Sequence, residues 1–140
     1  MNILSVPFHQ FLKLEKSEDD NFIFKLQERP ELLNHLNTIH ACVQLSLAEA
    51  TSGEFLLNEF YELRNEVIPV VRKTEVKYQK PANGSLCSKA NFSSVDKNSV
   101  YRNLNEKGRA IVPIKVELFD SGNNRTLTAI FDWFVAKMEK

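Results

Sequence analysis

Cysteine, glycine and net charge are all scarce in this chain. Its 140 residues include two cysteines, four glycines, five prolines and one tryptophan. Cys42 and Cys87 stand 45 positions apart. That fits neither zinc-ligand spacing nor a secreted disulfide framework. It predicts two reduced core thiols in a cytoplasmic protein. With so few glycines and prolines, and no repeat, collagen-like and low-complexity readings are excluded. No apolar run approaches the ~20 residues of a membrane span. Met1–Glu15 shows no basic segment leading into a long apolar one, so neither a signal peptide nor a membrane partner is expected. Lys plus Arg number 18, as do Asp plus Glu, for a formal net charge of zero. A chain without net charge is not expected to bind nucleic acid. The balance conceals a split. Residues 1–66 carry 11 acids and 5 bases, whereas residues 67–140 carry 7 acids and 13 bases. An anionic ligand is expected to prefer the second half.

What is present suits one soluble domain. Hydrophobic residues make up 43% of the chain and charged residues 26%, ordinary values for a globular protein. A chain of this length buries roughly two-thirds of its unfolded surface and needs no staple. A single domain over residues 1–140 is expected.

Phe11–Leu14 reads as a short strand, Lys16–Asn21 as a charged turn, and Phe22–Leu26 as the returning strand of a hairpin. From Ile39 to Ala50 the apolar positions Ile39, Ala41, Cys42, Val43, Leu45, Leu47, Ala48 and Ala50 surround a helix. Such a helix is buried on most sides. Asn37 or Thr38 is expected to cap it, and the pattern runs on through Phe55, Leu56, Phe60 and Leu63, with Gly53 a weak point.

The period then changes from helical to alternating. Thr74, Val76 and Tyr78 share one face of a strand, and Pro81–Gly84 is a turn. Leu86, Ser88, Ala90 and Phe92 alternate again. Ser93 or Ser94 is expected to cap a short helix that Gly108 ends. Ala110, Val112, Ile114, Val116 and Leu118 form one face of a long strand. Leu127, Ala129, Phe131, Trp133 and Val135 form one face of the last. The fold class is α+β, a hairpin, one buried helix and an antiparallel meander that curls around it. With one helix to cover it, the sheet leaves a face and its edges bare, so at least a dimer is expected.

Two motifs make this order specific. In Asn34-His-Leu-Asn-Thr-Ile-His40-Ala-Cys-Val-Gln-Leu-Ser-Leu-Ala-Glu49, an amide stands six residues before a His and a carboxylate nine after it. Tyr78-Gln-Lys-Pro-Ala-Asn-Gly84 is an aromatic strand end leading into Pro-Ala-x-Gly. Together they resemble the signature of the hotdog-fold acyl-CoA thioesterases, closest to the phenylacetyl-CoA-pathway and Arthrobacter-type 4-hydroxybenzoyl-CoA enzymes. The resemblance implies a curved antiparallel sheet around one long helix. It also implies an acyl-CoA substrate, no cofactor beyond the coenzyme A of that substrate, and sites at the interface of a homodimer or homotetramer.

Thioester hydrolysis needs a donor for the developing oxyanion and a carboxylate that attacks or activates water. Free N–H groups at a helix N-terminus are such donors. By the resemblance, the Ala41 N–H is the principal donor and the Cys42 N–H a second. Glu49 is the carboxylate, as nucleophile or as general base, and Asn34 either contacts the carboxylate or the carbonyl or scaffolds the loop. His40 is expected to shape the turn rather than move protons. Asn37 replaces a turn glycine and tolerates left-handed backbone. Ala41-Cys42 replaces the family's Gly-Gly. Ser52 or Gly53 stands where relatives place a water-positioning hydroxyl. Because Leu45, Leu47, Ala48 and Ala50 adjoin it, Glu49 is expected to be buried. Tyr78 is expected in the core or against substrate. Lys80, Lys89 and Arg109 are candidates for the CoA phosphates. The same residues leave open a non-catalytic acyl-CoA-binding protein and, behind it, a hotdog hydratase or dehydratase.

Overall fold

The computed structural model describes residues 1–139. Three α-helices and six strands lie along them: α1 (Pro7–Leu12), β1 (Glu15–Lys16), β2 (Phe24–Leu26), α2 (Ala41–Glu59), β3 (Val67–Tyr78), β4 (Leu86–Phe92), α3 (Lys97–Lys107), β5 (Arg109–Phe119) and β6 (Arg125–Lys137). The strands form one sheet in the order β1-β2-β4-β5-β6-β3, and every pairing is antiparallel.

Alternation explains why β5 and β6 are central. Val112, Ile114, Val116 and Leu118 of β5, and Leu127, Ala129 and Phe131 of β6, are almost fully buried on one face. That face holds α2. Phe24 and Leu26 of β2 join the same core with no exposed surface. The first segment departs from expectation. Residues Pro7–Leu12 are helical because Pro7 opens the first turn and Lys13 closes the last in left-handed conformation (φ 59°). The strand begins only at Glu15, so the expected strand over Phe11–Leu14 is corrected, while the hairpin with β2 stands.

The 19 residues of α2 pass through Gly53 without a break. Gly53 lies where a Cβ would come 3.2 Å from Ile3 Cδ1 and 3.4 Å from the Trp133 ring. Its smallness lets helix and sheet approach. The cap is His40, not Asn37 or Thr38: its Nδ1 accepts the Cys42 N–H at 3.0 Å. At α3 the cap is Asp96, which accepts from the Ser99 N–H, rather than Ser93 or Ser94. Gly108, with φ 72°, ends that helix as expected.

Strand β3 is the long edge of the sheet, 12 residues with β6 on one side only among the described residues. Register places Thr74, Val76 and Tyr78 opposite Phe131, Ala129 and Leu127, on the face where α2 lies. All three are nevertheless exposed, because α2 does not reach out over this edge. No helix among the described residues is long and apolar enough to cross a membrane.

Candidate active site at the start of helix α2

Residues 34–38 form a tight turn before α2, held by Asn34. Its Oδ1 accepts the Leu36 and Thr38 N–H groups at 2.9 and 3.1 Å, and its Nδ2 donates to Thr38 Oγ1 at 2.9 Å. Asn37 has φ 60°, the left-handed backbone that asparagine tolerates. Asn34 therefore scaffolds the turn, and its Nδ2 keeps a second N–H. The same residue borders the cleft at Ala41. The turn is pinned to the next segment by the Ile39 N–H, which donates to the Ala82 carbonyl at 3.0 Å. Asp120 ties the 81–84 turn in from behind, accepting the Asn83 N–H at 3.3 Å. Burial raises the Asp120 carboxyl, but donors from Asn124, Asn83 and Gly122 together outweigh it and hold the group below the usual aspartate value.

The first N–H groups of α2 have different fates. Those of Val43 and Gln44 go to the His40 carbonyl at 3.0 and 3.1 Å. That of Cys42 goes to the His40 ring. The Ala41 N–H has no acceptor among the described residues. Cys42 thus does not offer a second free donor, and its side chain is exposed rather than in the core. The expected core thiol at Cys42 is thereby corrected.

Ala41 lines a cleft of about 290 Å³ with Asn34, Thr38, Gln44, Tyr78 and Lys80. The Tyr78 hydroxyl donates to the Ala41 carbonyl at 3.2 Å. Burial, with the neighbouring Cys42 thiol, raises the Tyr78 phenol above its ordinary value, so it stays a donor at neutral pH. At 44% exposure Tyr78 is a wall of the cleft and not a core residue. Gln44 is the residue that sequence reading missed. It is 5% exposed, and its Oε1 has no hydrogen-bond partner among the described residues. The available signal was a lone amide three residues after Ala41, on the same side of the helix.

The other predicted residues fall elsewhere. Glu49 is exposed, which corrects its expected burial. It projects from the side of α2 that carries Cys42 and Ser46, not from the side facing the sheet. Ser52 has no exposed surface. Its hydroxyl donates to the Glu49 carbonyl at 2.7 Å and accepts the Trp133 Nε1–H at 2.8 Å. With both bonds made, it holds Trp133. Gly53 packs on Trp133. Neither residue lines the cleft at Ala41.

The three candidate phosphate ligands are not brought together. Lys80 borders the cleft. Lys89 lies over the rings of Phe22 and Phe119, 4.8 and 5.3 Å from their centroids. Arg109 starts β5 at the far end of the sheet. No cluster of three or more metal-ligating side chains occurs among the described residues.

The profile of a family described as a domain of unknown function, DUF4442, matches residues 11–135. No curated protein sequence matches the chain. Among solved structures, a Pseudomonas aeruginosa protein described as a probable thioesterase is similar with a TM-score of 0.81 and 16% identity, over 97% of this chain and 91% of that one. A Haemophilus influenzae thioesterase is similar at 0.73 and 14%, over 99% and 88%. A Bacillus halodurans protein solved with CoA is similar at 0.71 and 16%, over 94% and 79%. At these identities the likeness establishes the fold alone, the hotdog fold of a curved antiparallel sheet around one long helix.

Proposed function

The chain belongs to the DUF4442 family, and we propose that it is an acyl-CoA thioesterase that works as a two-fold dimer. One observation carries the reading: Ala41, whose N–H has no partner among the described residues, starts a 19-residue helix and lines a cleft. The helix dipole puts about half a positive charge there. A thioester carbonyl directed at that N–H is polarised, and its oxyanion is stabilised as it forms. Thioesterase-named neighbours, one relative solved with CoA, and the motif spacing support the substrate class.

The motif spacing assigns the carboxylate to Glu49, and one chain does not bring it to the thioester. Eight residues separate Ala41 from Glu49, about 12 Å along the helix and about 80° around it. Two antiparallel copies of α2 side by side resolve this, with Ala41 of one facing Glu49 of the other. The bare edge of β3 supports such a pairing. An open strand with exposed Ile68, Val70, Val76 and Tyr78 is a template for a second strand. Joining β3 to its mate continues the sheet and sets the two helices next to each other. Glu49 then either takes a proton from a water that attacks the carbonyl, or attacks it to form an anhydride that water cleaves. In both the C–S bond breaks, CoA leaves as the thiolate and the acyl group as the carboxylic acid.

A second reading, an acyl-CoA-binding protein without turnover, is favoured by the single free donor and by the engagement of Ser52 with Trp133. Release of free thiol from a panel of acyl-CoAs, by wild type and Glu49→Gln, separates the two. The thioesterase reading predicts release by wild type alone. CoA binding with no hydrolysis of any thioester selects the second reading. Mixing Glu49→Ala with a variant blocked at the helix start, Ala41→Pro, tests the dimer. Ala41→Pro removes the N–H at a position where proline suits a helix. Activity regained on mixing is expected. If none returns although both variants dimerise, the shared site is wrong.

A further inference from the structure

A second cleft, of about 310 Å³, lies on the sheet face turned away from α2, lined by Arg72, Asn103, Lys107, Arg109, Ile111 and Phe134. None of these residues is acidic. Arg72, Lys107 and Arg109 enter none of the ion pairs formed among the described residues. Three different elements deliver the cations. The β3–β6 register slips between Val71, opposite Trp133, and Lys73, opposite Asp132, so Arg72 is the extra residue of a bulge. Bulges re-aim side chains, and here the guanidinium lies over the Phe134 ring, 4.5 Å from its centroid. The ring holds the guanidinium in place, and its N–H donors have no acceptor among the described residues. Asn103 and Lys107 stand four residues apart on one side of α3. Gly108, at φ 72°, turns the chain so that Arg109 enters β5 at once. The end of α3 contributes about half a negative charge, against three full positive ones.

We propose that this cleft binds a phosphate group. A pre-set planar fork with two further cations matches a tetrahedral dianion better than a single carboxylate. The site is distinct from the cleft at Ala41. Arg109 lies nine residues along β5 from Leu118, about 30 Å, and Leu118 is at the Tyr78 end of the sheet, aligned with it through Leu127. Two sources share this chemistry: the nucleotide end of a CoA whose thioester sits in a partner chain, and a free phosphate compound.

The full chain, followed by amide NMR, is titrated with adenosine 3′,5′-bisphosphate, CoA, inorganic phosphate and pantetheine. Saturable shifts at Arg109–Ile111 and Phe134 are expected with the bisphosphate. Arg72→Ala and Arg109→Ala each weaken that binding about 10-fold or more, the loss of one charge-assisted contact. Lys107→Ala weakens it in the same direction, and Lys16→Ala, on the other edge strand, leaves it unchanged. Shifts with CoA but not inorganic phosphate assign the site to a nucleotide end. Shifts with inorganic phosphate as well assign it to free phosphate compounds. The proposal is overturned if no phosphate gives saturable shifts there, if pantetheine gives the same ones, or if folded arginine variants bind as wild type does. No turnover is involved, so this outcome and that of the thiol-release assay are independent.

Discussion

The two faces of α2 are built on opposite plans. Toward the sheet, Leu47, Ala48, Thr51 and Ser52 have no exposed surface. The hydroxyls there are satisfied within the chain: Thr51 lies 2.6 Å from Ser88, and Ser52 bridges the Glu49 carbonyl and the Trp133 indole. On the opposite side, Cys42 and Glu49 are exposed, and Glu49 enters no ion pair among the described residues. The sheet side is a finished core. The other side is half of something, and on the proposed reading a second chain completes it. Substitutions on the two faces should therefore fail in different assays.

The sharpest break is Glu49→Ala. Loss of the carboxylate is expected to lower thiol release by about 10²–10⁴-fold. Stability should change by less than about 0.5 kcal/mol, because the side chain is exposed and unpaired in the single chain. Urea denaturation beside the assay checks both. A large loss of stability with activity retained in the folded fraction would place Glu49 with the core.

Leu47→Ala is the mirror experiment. Leu47 is fully buried, and the change is expected to cost about 2–5 kcal/mol through lost transfer energy and the cavity left behind. The urea midpoint should fall at unchanged slope, while the activity of the molecules that remain folded stays near wild type.

Ser52→Ala follows in size. It leaves the buried Trp133 indole N–H without an acceptor, a penalty of about 1–3 kcal/mol. If Ser52 only holds Trp133, kcat per folded molecule is unchanged. A fall in kcat at unchanged stability would return Ser52 to the chemistry and break the division of faces.

How much of this was legible follows from what sequence periodicity records. The strands β5 and β6 were readable because strict alternation against a covered face leaves a period of two. The six- and nine-residue spacings around His40 marked the helix start. The exposure of Glu49 was misread because Leu47, Ala48 and Ala50 adjoin it in sequence. On a helix the true neighbours are three and four residues away. Cys42, Ser46 and Glu49 stand at that spacing, and they were the signal of an uncovered stripe. The exposed half of β3 had no signal, since Thr74, Val76 and Tyr78 alternate whether or not a helix covers them. The Arg72 bulge was equally silent, because a register slip is a property of two strands and not of one.

His40 stands where the two faces meet, and its replacement has the smallest expected effect. His40→Ala removes the acceptor for the Cys42 N–H, a capping loss of about 0.5–2 kcal/mol and a fall of a few degrees in Tm for a chain of this size. It also leaves Cys42 N–H free beside Ala41 N–H. His40→Asp supplies an oxygen acceptor and is expected to recover the stability. If the imidazole is only a cap, kcat/KM in His40→Asp stays within about 10-fold of wild type and its pH profile keeps the same limbs. If the imidazole moves a proton, both variants lose about 10²-fold or more and the profile loses a limb, whatever their stability. The comparison of Asp with Ala thus separates a residue that shapes the start of α2 from one that takes part in the reaction there.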